Sequence, residues 1–400
     1  MANEREAAPM PTGPLIAASD LARIAGSAGV AILDCTSHLP AERRDARREF
    51  EAAHIPGARF VDLAEISDPA SGLPTMLPPV AQFEAVMRGL GIQAGDLVVV
   101  YDTHGIRTAP RLWWMFRGYG HERVAVLDGG LPAWRAAGGA VEQGPAAPAR
   151  EGDWSAMREH DAVADTAATR AAAAHASSQV VDARSAERFR GLAPEPRPGL
   201  RAGHIPGSVN LPYEQLLDPV SHAYLPDDRL AEVMRAHGLG LGRDTRFVCS
   251  CGSGVSACVL ALALHKLGER DVRVYDGSWT QWGSDAALPV ETGDGHVYAL
   301  KTYVAAPGKF AAMRDRFLSS AAPLLAEQGL MLERSWTPPE APDTFVYLLK
   351  WRSGVDFDQA WDAFARDPRW LEVKRRSEAQ GPLIARQESM MLGTSTGEMR

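Results

Sequence analysis

The chain repeats itself at a spacing of about 150 residues, and that spacing limits what it can fold into. Ala53-His54-Ile55-Pro56-Gly57-Ala58 recurs as Gly203-His204-Ile205-Pro206-Gly207-Ser208. Leu33-Asp34-Cys35 matches Val181-Asp182-Ala183, and Asp128-Gly129-Gly130 with Trp134 matches Asp276-Gly277-Ser278 with Trp282. A period this long is that of a whole domain, not of a solenoid unit. Within each copy, short β-branched runs bounded by turn residues read as buried parallel strands: 31–34, 96–101 and 124–127 in the first, 180–182, 246–248 and 272–275 in the second. A helical stretch, Ala109 to Tyr119, lies between two of them, which implies α/β domains with parallel sheets.

The copies differ at one telling place. Cys251 follows the run Arg246 to Ser250 and opens Gly252-Ser253-Gly254-Val255-Ser256-Ala257, before an apolar helix from Cys258 to Leu267. Gly252 and Gly254 let the backbone curl around one atom, so that successive N–H groups point inward as an anion nest. The helix that follows aims its positive end at the same point. An anionic sulfur nucleophile suits that surrounding better than a core thiol does. Alignment of the repeats puts Asp102 opposite Cys251, so only the second copy keeps the nucleophile; Asp102 is expected to help build the domain interface. His54 and His204 occur in both copies, which argues for a structural role in the turn.

The first domain is read over 14–140, a Pro-containing linker over 141–160 and the second domain over 161–293, its first helix being the alanine-rich run Ala162 to Ala176. Residues 297–392 follow as strand (297–304), helix (309–328), strand (331–337), strand (344–351), helix (357–366) and strand (385–392). This β-α-β-β-α-β order is ferredoxin-like. Residues 1–13 and the last eight read as tails. The net charge of −8 gives no electrostatic reason to expect nucleic acid or a membrane as partner. No run approaches the ~20 apolar residues that span a bilayer, and the N-terminus has no apolar signal core. Four cysteines in 400 residues make no disulfide framework, and Cys249 with Cys251 are too few and too close for a zinc site. No metal and no cofactor are expected, and a reducing, cytoplasmic compartment suits a thiolate that must stay free.

These features resemble the tandem-rhodanese sulfurtransferases over roughly residues 14–293. The loop Cys251-Gly252-Ser253-Gly254-Val255-Ser256-Ala257 is close to the form found in 3-mercaptopyruvate sulfurtransferases, which carry Thr where this chain has Ser256. The resemblance implies two rhodanese-like parallel-sheet domains in tandem, ahead of the α+β ferredoxin-like domain. It implies that Cys251 takes a sulfane sulfur from 3-mercaptopyruvate as a persulfide and passes it to cyanide or to a thiol such as thioredoxin. It assigns the substrate carboxylate to Arg188, in Arg188-Phe189-Arg190-Gly191, and to Arg197, in Pro194-Glu195-Pro196-Arg197. It also implies a proton relay of Ser253 with an Asp and a His from the first domain. Asp62 matches that Asp, but Thr75 stands where the His is expected, and threonine accepts no proton at neutral pH. Residues 297–392 are similar in pattern to NIPSNAP and related dimeric α/β-barrel domains, which implies a homodimer through that domain.

Three rival readings are weighed against this one. Cys-dependent phosphatases of the same fold need an arginine six residues after the cysteine, where Ala257 stands here. A thiosulfate-preferring enzyme favours cationic loop residues, and Gly252-Ser253 supplies none. A sulfur carrier whose third domain recruits a partner, with little turnover, is the third.

Overall fold

The structure, a computed structural model, describes residues 11, 13–175, 177–242, 244–353 and 355–392. The sequence tails, apart from residues 11 and 13, lie outside the described residues, as does Ala176 at the end of the alanine-rich run. The first half forms a parallel sheet of β1 (Leu15–Ile16), β2 (Val30–Asp34), β3 (Arg59–Phe60), β4 (Leu97–Tyr101) and β5 (Val124–Leu127), in the order β1-β5-β4-β2-β3. The second half builds the same order, β6-β10-β9-β7-β8, from β6 (Val163–Ala164), β7 (Ser178–Asp182), β8 (Val209–Asn210), β9 (Arg246–Ser250) and β10 (Val272–Tyr275). The central strand β4 is apolar throughout because helices cover both faces, and Leu97 to Tyr101 are buried without exception. The two-residue strands β1, β3, β6 and β8 are too short to leave a periodic trace in sequence.

The repeats share a core. Helices Ala109–Gly118 and Ala257–Lys266, one from each repeat, pack together, with the Trp113 and His265 rings 5.4 Å apart. One hydrophobic cluster runs from Ala31 of the first repeat to Val274 of the second. The repeated histidines do the same work in each copy. His54 stacks on Phe50 and bonds its carbonyl at 2.8 Å, and His204 does so with Phe189, also at 2.8 Å.

Residues 141–160 lie against the first repeat. Trp154 is buried between Phe83 and Phe116, edge to face at 5.2 and 5.5 Å, and the His160 ring covers Trp114 at 4.0 Å.

The C-terminal region is an antiparallel sheet of β11 (His296–Ala305), β12 (Met331–Trp336), β13 (Thr344–Arg352) and β14 (Ile384–Leu392), in the order β12-β13-β11-β14. Alternate residues of β13 are buried, so Phe345, Tyr347, Leu349 and Trp351 face the helices. The helical stretch read over 309–328 is continuous but contains a π-turn at Phe317–Ala321. A helix at Pro368–Ser377 was not expected from the sequence; it has no buried residue, so no apolar stripe marks it. The region docks on the second repeat through Arg352, which donates to the carbonyls of Gly207 at 3.2 Å and Ser178 at 3.1 Å. Ser353 adds a hydrogen bond to Glu291, and its hydroxyl accepts from the Gly207 N–H at 3.0 Å.

Because Trp154 fills the first repeat's core, Trp154→Ala is expected to cost about 3–5 kcal/mol of stability. Urea unfolding measures it, and a loss under about 1 kcal/mol would mean the segment is a free spacer.

Candidate active site

Cys251 lies one residue beyond β9, at the carboxyl end of the sheet, and is 2% exposed. Its loop is tied down from outside. The Ser278 hydroxyl accepts from the Cys251 N–H at 3.1 Å. The carbonyls of Cys251 and Gly252 accept from the N–H groups of Trp279 and Thr280 at 3.0 and 2.8 Å. With the carbonyls turned out, the N–H groups of Gly252, Ser253, Gly254, Val255 and Ser256 have no protein acceptor among the described residues. Gly254 has φ +77°, and a Cβ there would come within 2.7 Å of the Asp276 carbonyl, so the turn admits only glycine.

The first repeat shows what such a loop holds. Asp102 does not build the domain interface, as its alignment suggested; its carboxylate turns into its own loop. Oδ1 accepts from His104 at 2.9 Å, and Oδ2 from Arg107, Thr108 and Ala109 at 2.9, 2.8 and 2.8 Å. Four N–H groups converge on one side-chain anion at the position equivalent to Cys251, and each such bond is worth about 1.5–3 kcal/mol. In the second repeat the equivalent loop carries Cys251 in place of that carboxylate.

Arginines stand beside the cysteine. The Arg188 Nη2 would meet a Cβ on Gly252 at 3.1 Å, so the guanidinium lies against the loop. Glu195 holds it there, accepting from Nη2 at 2.5 Å, and is itself held by Arg184 at 2.7 Å; Arg184 in turn is clamped by Asp182. His204 steadies the short helix Ala186–Arg190 through the Phe189 carbonyl. Arg197 is half-buried; burial pulls its guanidinium below the usual arginine range, the Cys251 sulfur opposes that shift, and Arg188 adds to it. Arg188 and Arg197 therefore share one space with Cys251.

The other cysteines lack this setting. Cys35, Cys249 and Cys258 are buried, and burial pushes each thiol up, that of Cys258 to about 12. The Ser253 hydroxyl has no protein partner among the described residues, Val255 packs on the core, and the Ser256 side chain makes no cap bond. The Asp62 carboxylate accepts from Ala64 in its own turn at 2.8 Å and forms no hydrogen bond with Ser253, so the expected relay is not assembled. Thr75 does reach the loop: its hydroxyl donates to the Ser253 carbonyl.

One participant escaped the sequence reading. Arg111, from the first repeat, is fully buried and pairs with Asp276 at 2.7 Å. It also donates to the carbonyls of Thr75 at 2.6 Å and Gly254 at 3.4 Å. Asp276 accepts from Leu77 of the first repeat at 2.6 Å. Arg111 sits in an apolar helix among tryptophans, where only its charge was out of place. Removing one member of a buried pair strands the other, so Arg111→Met is expected to cost about 3–5 kcal/mol, with part recovered in Arg111→Met combined with Asp276→Asn. Guanidinium unfolding of the four proteins of the cycle tests this; a single-variant loss below about 1 kcal/mol contradicts it.

Comparison with known proteins agrees with this geometry. The rhodanese-like domain model matches twice, at residues 17–137 and 165–285. The 3-mercaptopyruvate sulfurtransferase of Escherichia coli is 40% identical over 263 residues, 66% of this chain and 92% of that protein. A mitochondrial thiosulfate/3-mercaptopyruvate sulfurtransferase of Arabidopsis thaliana is 42% identical over 281 residues, 65% of this chain and 73% of its own. The solved structure of SseA, a 3-mercaptopyruvate sulfotransferase from Escherichia coli, superposes with a TM-score of 0.61 at 35% identity, covering 67% of this chain and 99% of that one. With both repeats matched, and with one nest holding a carboxylate and the other a cysteine, the chain belongs to the rhodanese-like family, as a tandem-domain member.

Proposed function

We propose that the chain is a sulfurtransferase of the 3-mercaptopyruvate type, working through a persulfide on Cys251. The observation that carries this is the pairing of an open N–H nest at Cys251 with Arg188 and Arg197 beside it: one holds a transferable anionic sulfur, the other a keto-acid carboxylate. The Cys251 thiolate attacks the donor's sulfur. The S–S bond forms as the C–S bond breaks, and its electron pair leaves as the enolate of pyruvate. The enolate carbon takes up the proton that the donor thiol carried, directly or through water, leaving Cys251–S–S⁻ and pyruvate. A thiol acceptor such as thioredoxin, or cyanide, then removes the outer sulfur and returns the thiolate. The nest serves both anions, and the Ser253 hydroxyl is free to donate to either sulfur. Thiosulfate is the second donor reading, since the Arabidopsis relative carries both donors in its name.

Cys251→Ser is expected to abolish transfer, and donor treatment of the unaltered chain to add about 32 Da, one sulfur, to the peptide bearing Cys251. Arg188→Ala and Arg197→Ala are each expected to lower kcat/KM for mercaptopyruvate by about 1.5–3 kcal/mol of transition-state binding, roughly 10- to 150-fold. An adduct on a different cysteine, or a higher kcat/KM with thiosulfate than with mercaptopyruvate, overturns the assignment.

The C-terminal region is, in our reading, NIPSNAP-like and an assembly module. Cross-strand rows Trp336–Val346–Thr302–Glu388 and Arg334–Leu348–Leu300–Met390 lie on the sheet face away from the helices. Trp336 and Met390 are 41% and 61% exposed, and a second copy would cover them. Light scattering is expected to give a dimer for the full chain and a monomer for a 1–295 truncation; a monomeric full chain or a dimeric truncation refutes it. No helix among the described residues is long and apolar enough to cross a membrane. All four cysteines are free, and we place the protein in a reducing, cytoplasmic setting.

A further inference from the structure

We propose that His38, Glu42 and His104, in the repeat without the nucleophile, form a binding site for a divalent transition-metal ion of the zinc class. One ligand atom from each lies within 4.8 Å of the others, and all three residues are half-buried. Nothing in their spacing along the chain marks them. His38 follows β2, Glu42 ends the turn Pro40–Glu42, and His104 belongs to the loop that wraps Asp102.

The arrangement around each ligand is the one a metal requires. The His38 ring is 3% exposed, yet its Nδ1 is buried without a hydrogen bond and faces Glu42 Oε2 at 3.3 Å. Two atoms at that distance are spaced to share either a proton or a cation. Tetrahedral zinc with bonds near 2.0–2.1 Å sets its ligands about 3.3 Å apart. The far side of each ligand is engaged as metal-bound residues require. His38 Nε2 meets Glu49 Oε2 at 3.0 Å, and Glu49 is held by Arg44 at 2.7 Å. His104 Nε2 meets the Ser37 carbonyl at 3.3 Å, which leaves Nδ1 as the ligand. Glu42 Oε1 is taken by Arg107 at 2.7 Å, and Oε2 accepts from the Leu39 N–H at 3.3 Å while facing His38.

Arg107 is the opposing feature. Its guanidinium lies 3.5 Å from His104 Nδ1 and has to turn from that nitrogen while keeping Glu42. His104 must also close by roughly 1.5 Å to complete a zinc-sized cluster. The local charge favours the exchange: Glu42, Glu49 and Asp102 supply three carboxylates against the guanidiniums of Arg44 and Arg107. Since His104 also donates its N–H to Asp102, a metal here would fix the first repeat's loop from outside.

The test removes the competing thiolate first. In Cys251→Ser protein freed of metal by chelation, Co²⁺ is expected to bind saturably at one per chain, with visible d–d absorption, and Zn²⁺ to displace it. His38→Gln and His104→Gln should each abolish the absorption. Glu49→Gln, which touches only the far side of His38, should weaken Co²⁺ binding by about 10- to 100-fold. Circular dichroism checks that each variant is folded, and Glu42→Gln, at a partly exposed residue, serves where a histidine variant is not. Absence of saturable Co²⁺ and Zn²⁺ binding, or binding unchanged in folded variants of the three ligands, overturns the site and leaves His38 as a residue held between Glu42 and Glu49.

Discussion

A ring of inward-pointing backbone N–H groups has to be given an anion, and the molecule meets that demand in two ways. Unpaired N–H groups inside a protein cost free energy, so a loop of this shape is stable only if something negative fills it. In the first repeat the filler is covalent and permanent: the Asp102 carboxylate, with four N–H donors on it. In the second repeat the equivalent residue is Cys251, whose side chain is neutral or negative according to its chemistry. The N–H groups of Ser253 and Ser256, at the positions of His104 and Arg107, have no protein acceptor among the described residues, so an anion at Cys251 would meet donors equivalent to two of those that hold the carboxylate next door.

The same pseudo-symmetry explains why the site needs both repeats. Thr75 and His222 occupy equivalent places, both with φ +57°, and each leans on the loop of the other repeat. Thr75 bonds to Ser253; a Cβ on Gly105 would meet the His222 Cβ at 2.4 Å. Asp276 accepts from Leu77 and Asp128 accepts from Tyr224, each across the interface. The symmetry breaks at Arg111, whose counterpart is Leu260. Among the described residues, the Cys251 loop is braced by a buried cation from the other repeat and the Asp102 loop is not. A β-branched residue at positive φ costs about 1–3 kcal/mol, and the bonds from Arg111 to the Thr75 carbonyl and from Thr75 to Ser253 hold it there.

Much of this could be read from the sequence, for reasons that can be named. The glycines flanking Ser253 and the repeated His-Ile-Pro-Gly turns are backbone constraints, and such constraints show in residue identity. The central strands were legible because burial on both faces leaves unbroken apolar runs. Trp154 was not, because a tryptophan between prolines and charges does not say which core it enters. Nor was Arg111, because an arginine in a helix is ordinarily a surface charge and its partner lies 165 residues away in the chain. Asp62 was read too hopefully. Its place beside β3 is right for reaching the loop, but an Asp before a turn most readily bonds its own backbone two residues on, and it does.

The C-terminal region meets the second repeat on the side away from the chemistry. In a parallel sheet all strands begin at one end and finish at the other. Arg352 holds Ser178, where β7 begins, and Gly207, just ahead of β8, while Cys251 follows the finish of β9. Ser353 bonds Glu291, which also lies 3.6 Å from His204 in the turn that enters β8. From that position no docked side chain of the region reaches the nest. One route from the docking contact toward the site runs through His204 and the Phe189 carbonyl to the helix that carries Arg188. That route ends on Arg188, whose guanidinium lies against Gly252 of the Cys251 loop. Along it, a change in the docking contact reaches Arg188 before it reaches Cys251.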